Sequence, residues 1–154
     1  KLTYPTQAPF PIVAQAIKDQ LSQSGIEVVL EGKEIGAVLD DYFAGNFQAL
    51  MIDWAGRIDE HLQMWPFYHS AGFRNFGGYK NDEVDSLLDQ AGRAAAIPER
   101  AKLYQSAQTL INEDAPVIIV SFPSDIKAYS SKVQGFVNLA DERARLYTVW
   151  RSAN

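Results

Sequence analysis

The chain has 154 residues, 47% of them hydrophobic and 21% charged, with a formal net charge of −5 and no cysteine. That size and balance fit one globular domain with a buried core, while the acidic sign and the scattered Lys and Arg argue against a nucleic-acid footprint, which needs basic residues on one face. Absence of cysteine excludes disulfides, thiol catalysis and thiolate zinc sites, and the longest apolar run, Val117–Val120, is far too short to cross a bilayer.

Leu2–Tyr4 reads as a short strand closed by Pro5. From Ile12 to Leu21 the residues Ile12, Val13, Ala16, Ile17 and Leu21 recur at helical spacing, and Gly25 ends that helix. The β-branched IEVVLE reads as a second strand, and Ile35–Ala44 as a second helix stopped by Gly45-Asn46. FQALMI follows as a third strand whose continuous apolarity predicts burial on both faces. This order predicts an α/β fold, a mostly parallel sheet flanked by helices.

Residues 54–80 show no clear periodicity and hold Gly56, Pro66, Gly72, Gly77 and Gly78, so they read as a long loop of the kind that is usually functional. Asn81–Ala96 reads as a helix capped by Asn81 or Asp82, with Val84, Leu87, Leu88 and Ala91 on one face. Pro98 suits the first turn of a further helix over Glu99–Glu113. APVIIVSFP reads as a fourth strand, with weaker strand signals at IKAYS, GFV and LYTVW.

Asp53 closes the third strand, where a phosphoacceptor would need an acidic pair at the end of the first strand. That strand ends in Pro5-Thr6-Gln7 and Asp40-Asp41 lies in a helix, so Asp53 reads as a capping residue of a strand-end turn. Asp59, Glu60, His61 and His69 are metal-ligand types without metal-ligand spacing, so no metal and no cofactor is expected. Gly77-Gly78 reads as a turn, and no Ser sits in a Gly-x-Ser-x-Gly elbow. What remains is a set of rings, Trp54, Trp65, Phe67, Tyr68, Phe73, Phe76 and Tyr79, mixed with a few charges. Half of them could merely cover an open sheet edge. Ligands of open α/β sheets, however, bind beyond the carboxyl ends of strands, where this loop begins, and such mixtures line small-ligand clefts. Binding is favoured over catalysis; an α/β enzyme domain with its active site in loop 54–80 is the alternative, and an interaction domain the third reading.

The succession GNFQALMIDWAG, a long loop, GGYKNDEVDSLLDQA, R-x-x-L-Y-Q-S-A-Q-x-L-I-N-E-D-A-P-V-I-I-V and KVQGF resembles the C-terminal part of the peptide/nickel family of extracytoplasmic solute-binding proteins of ABC importers. AQAIKDQLSQSGIEVVLE resembles that family's helix and following strand. The resemblance implies one lobe of a two-lobed periplasmic-binding-protein fold, with 1–154 a single domain from the C-terminal lobe of a larger protein and about 125–154 belonging with the first lobe. It implies a small-molecule solute, peptide or peptide-like, held between two lobes without catalysis. It also implies ABC permease subunits as partners, a periplasmic or extracytoplasmic location, and a signal segment lost by truncation. In an isolated lobe Phe122, Tyr129, Tyr147 and Trp150 are expected at the surface, where they would drive self-association.

Peptide-binding members of that family carry Trp-x-x-Asp, whose Asp holds the ligand's ammonium. Here Arg57 stands at that spacing after Trp54, Glu60 is in register with the second acid, and His61 replaces the expected Pro, with Asp59 able to serve instead. The expected ligand-binding residues are Trp54, Arg57, Asp59, Glu60 and Tyr79, with an anionic or hydrogen-bond-accepting ligand group near Arg57. The alternative is that Arg57 pairs internally with Asp59 or Glu60.

Overall fold

A computed structural model describes residues 1–54, 57–122, 124, 126–139 and 143–153. The chain forms two compact units, Lys1–Trp54 with Phe73–Tyr79, and Ala55–Gly72 with Lys80–Asn154. Ala55 and Gly56 of the predicted loop, and Pro123 at the end of the predicted fourth strand, lie outside the described residues.

In the first unit, β1 (Leu2–Pro5), α1 (Phe10–Gln23), β2 (Leu30–Lys33), α2 (Ile35–Ala44) and β3 (Ala49–Leu50) follow in order. The sheet is parallel with strand order β2-β1-β3, Leu2 lying opposite Leu30 on one side and Ala49 on the other. The chain leaves β1 toward β2 and then crosses back to β3, and both helices pack on β1. Parallel crossovers are right-handed as a rule, and two that run in opposite directions then put their helices on opposite faces of the sheet. The carboxyl ends of β1 and β3 therefore flank a topological switch point.

The central strand is β1, not the third strand as FQALMI suggested. Leu2, Thr3 and Pro5 are buried, whereas Ala49 is exposed and Leu50 half-buried, because β3 is an edge with a neighbour on one side only. Likewise Ile12 points to solvent, and α1 turns Ala14 inward instead. Helix α2 keeps the predicted bounds, with Val38 and Tyr42 buried and Gly45 closing it at φ 65°, a conformation that costs glycine nothing.

In the second unit, α3 (Glu60–Tyr68), α4 (Asp82–Arg93) and α5 (Ile97–Asp114) are followed by the two-residue strands β4 (Val133–Gln134) and β5 (Trp150–Arg151). Helix α3 lies where a structureless loop was expected; the Asp59 carboxylate caps it. Asn81 caps α4 through its side chain, accepting from Glu83 N and Val84 N at 3.0 and 3.3 Å. Val84, Leu88 and Ala91 of α4 and Tyr104, Ala107 and Ile111 of α5 are buried, forming the core of a helical hairpin on which α3 packs.

The predicted fourth strand is not a strand. Ala115–Phe122 is without a ladder and exposed throughout. High β-propensity alone does not make a strand; its amides need a paired neighbour, and among the described residues none lies along this run. Of the weaker signals, IKAYS forms no strand, GFV follows β4, and LYTVW supplies only Trp150 to β5. Gly135, at φ 73°, packs so closely on Thr148 O that no side chain fits there.

Candidate functional site

The first unit carries an aromatic platform just beyond β3. Buried Tyr42 lies at its centre, with Phe76 edge-on at 4.8 Å, Phe43 at 5.6 Å and Trp54 at 5.8 Å between ring centroids. Trp54 keeps 37% of its surface exposed. The Tyr42 hydroxyl donates to the Arg74 carbonyl at 2.6 Å. Burial pushes the Tyr42 pKa up, and the positive charge of Arg74 partly opposes that. The Arg74 guanidinium lies over the Trp54 ring at 4.5 Å and over Phe73 at 5.7 Å, within cation–π range.

Tyr79 belongs to the same unit, tied by its backbone to Asn75, whose amide donates to Tyr79 O at 2.7 Å and accepts from Tyr79 N at 3.0 Å. Gly78 N donates to Asn75 O at 3.2 Å, so Gly77-Gly78 does close a turn. Sequence reading missed Tyr42, Arg74 and Asn75. Only Asn75 had a visible signal, an Asn opening a Gly-rich turn. Asp53 is exposed and makes no side-chain hydrogen bond among the described residues, so its expected capping role is absent.

Arg57, Asp59 and Glu60 belong to the second unit. Asp59 Oδ1 accepts from Leu62 N at 3.0 Å, and Arg57 N donates to Gln63 Oε1 at 3.1 Å. The Arg57 side chain is exposed. Among the described residues it forms no ion pair, with Asp59 and Glu60 included. The internal-pairing alternative is therefore corrected: the Asp59 carboxylate is engaged by the helix start.

Asp59, Glu60 and His61 do meet Gly92, Arg100 and Tyr104 around an open depression of about 330 Å³. His61 Nδ1 and the Tyr104 hydroxyl are hydrogen-bonded at 3.1 Å. A Cβ on Gly92 would come within 2.7 Å of the imidazole, so glycine lets the ring lie against α4. Burial first, and the Asp59 charge second, push the Tyr104 pKa up. Arg57 does not line this depression. Among the described residues no group of three or more metal-ligating side chains occurs, and no helix is long and apolar enough to cross a membrane.

No family model matches the chain. The dipeptide-binding protein DppE of Bacillus subtilis (strain 168) is 28% identical over 137 residues, 88% of this chain and 25% of that protein. The probable deoxycholate-binding periplasmic protein YgiS of Escherichia coli (strain K12) is 31% identical over 112 residues, 73% of this chain and 21% of that protein. Among solved structures, the ABC transporter-associated periplasmic binding protein DppA from Helicobacter pylori, in complex with peptide STSA, covers 97% of this chain and 30% of its own at a TM-score of 0.80 and 28% identity. The chain thus spans about a quarter of the length of the curated relatives it matches.

Proposed function

We propose that this chain, which by sequence and fold belongs to the peptide/nickel family of extracytoplasmic solute-binding proteins, forms one wall of a non-catalytic solute cleft in the binding component of an ABC importer. The observation that carries this reading is the half-exposed Trp54, held by Tyr42 and Arg74 beyond the switch point of a parallel sheet, where ligands of such sheets bind. The relatives are named as binding proteins, which supports a role without catalysis, and YgiS is named as periplasmic, which supports an extracytoplasmic location.

Within this reading Trp54 and Tyr79 supply apolar surface, and Arg57 supplies a cation for an acceptor group of a peptide or peptide-like solute. Glu60 and Asp59 set the local charge, Asp59 also capping α3. Most of residues 1–154 belong to the C-terminal lobe, with about 125–154 belonging with the first lobe, and permease subunits are partners of the whole protein. Native mass spectrometry of the full-length protein tests the reading. A co-purifying peptide or peptide-like acid is expected; a sugar or metal complex in its place would overturn the solute class.

A further inference from the structure

We propose that Arg74 is a specificity-determining residue of this site: stacked on Trp54, it makes the platform cationic, so that it accepts an anionic or neutral solute group and disfavours an ammonium. The inference rests on the reading of Trp54 as part of the solute wall.

The guanidinium lies 4.5 Å from the Trp54 centroid and 5.7 Å from that of Phe73. Such stacking uses the flat face of the guanidinium and the π cloud of the ring. An indole already stacked by one cation is a poorer partner for a second, and the fixed positive charge repels an ammonium directly.

Arg74 is also held in place. Its carbonyl accepts from Tyr42 at 2.6 Å, Asn75 clamps the following turn from both sides of Tyr79, and Phe76 packs edge-on against Tyr42 at 4.8 Å. Two of the acids in this unit, Glu31 and Asp41, are engaged by Lys1 and Lys33. Asp53, the chain neighbour of Trp54, is exposed and brings a negative charge next to the platform in sequence.

Two probes of opposite charge and similar shape test this in the full-length protein: N-acetyl-Ala-Phe, anionic, and Ala-Phe amide, cationic. Calorimetric titration should show the wild type preferring the anionic probe by about tenfold or more. Arg74→Gln should reduce that preference to about threefold or less. Arg74→Lys, which keeps the charge without the planar stack, should retain part of it, and Asp53→Asn should enlarge it. Trp emission should shift in Arg74→Gln at an unchanged melting temperature. Should Arg74→Gln not fold, Arg74→Met, with a similar stem and no charge, takes its place. An unchanged preference in the folded uncharged variant overturns the inference. So does a wild type that binds both probes equally, while the solute-wall reading stands. A wild type that binds neither probe overturns that reading, and the inference with it.

Discussion

The indole of Trp65 lies against the imidazole of His69, the C-cap of α3 one turn later, with centroids 4.6 Å apart and planes inclined by 23°. Both rings reach the same carboxylate on α4. Trp65 Nε1 donates to Asp89 Oδ1 at 3.1 Å, and His69 Nε2 lies 3.5 Å from that oxygen. His69 Nδ1 accepts from Ala71 N at 3.0 Å, which puts the imidazole proton on Nε2, toward Asp89. One turn earlier on α4, Asp85 accepts from Ser70 N at 2.8 Å and from the Ser70 hydroxyl. Two acids at helical spacing therefore dock the end of α3.

Asp89→Ala should destabilise the protein by about 1–3 kcal/mol, because a half-buried indole N–H loses a charged acceptor. Urea unfolding followed by Trp fluorescence checks this. Asp89→Asn, which keeps an acceptor oxygen, should recover part of the loss. No loss in the alanine variant would make the ring stack self-sufficient.

Backbone geometry yields a pair of opposite substitutions. A Cβ at Gly72 would come within 2.5 Å of Pro66 O and 2.7 Å of Trp65 O, which are backbone atoms that cannot swing aside. Gly72→Ala should therefore cost about 1–3 kcal/mol, as overpacking does. Ala115 closes α5 at φ 47°, a region unfavourable to alanine, so Ala115→Gly should stabilise by about 1 kcal/mol. Thermal melts of the two variants should move in opposite directions.

Acid should weaken the sheet unit. The Glu31 carboxyl is lowered from 4.5 to about 2, first by the hydrogen bond from Lys1 and then by those from Lys33 and Thr3. A depressed carboxyl contributes stability fully above its unfolded value and loses it as pH falls through the folded one. The melting temperature should therefore fall between pH 4.5 and about 2, and Glu31→Gln should flatten that fall. Lys33, raised chiefly by Asp41, acts with the opposite sign: its contribution is present below its ordinary pKa and lost as pH rises through the folded value.

Asp59 and Arg57 should separate stability from binding. Asp59→Ala removes the cap of α3 and should cost about 0.5–2 kcal/mol of stability, with Asp59→Ser recovering most of it. Arg57→Ala should leave stability within about 0.5 kcal/mol, while costing roughly 2–5 kcal/mol of binding in the full-length protein if its partner is a desolvated anion. Calorimetry with the co-purifying solute measures the second effect. An unchanged affinity removes Arg57 from the solute wall.

The 154-residue chain on its own should self-associate. Phe122 and Tyr147 are 85% and 86% exposed, and Ile118, Ile126, Tyr129 and Trp150 are exposed near them in sequence; large apolar side chains exposed together drive association. Light scattering should show mass rising with concentration. A concentration-independent monomer would contradict the expectation.

What the sequence determined by itself were the features that neighbouring residues decide. The bounds of α2, the Asn81 cap of α4, Pro98 in the first turn of α5 and the β-α-β-α-β order were all legible, because caps, breakers and periodicity act within one or two turns of chain. The exposure of Phe122, Tyr129, Tyr147 and Trp150 was legible only through the family resemblance. Tertiary structure decided the rest. An apolar run states that a segment can be buried, not which strand will pair with it, so β1 became the centre of the sheet, FQALMI an edge, and Val117–Val120 no strand at all. Segment 60–68 became a helix although its own periodicity is weak, because Asp85 and Asp89, far along the chain, hold its end. Arg74 meets Trp54 for the same reason: the clamped turn at Asn75 and the hydroxyl of Tyr42 bring together residues whose separation in sequence carries no signal of contact.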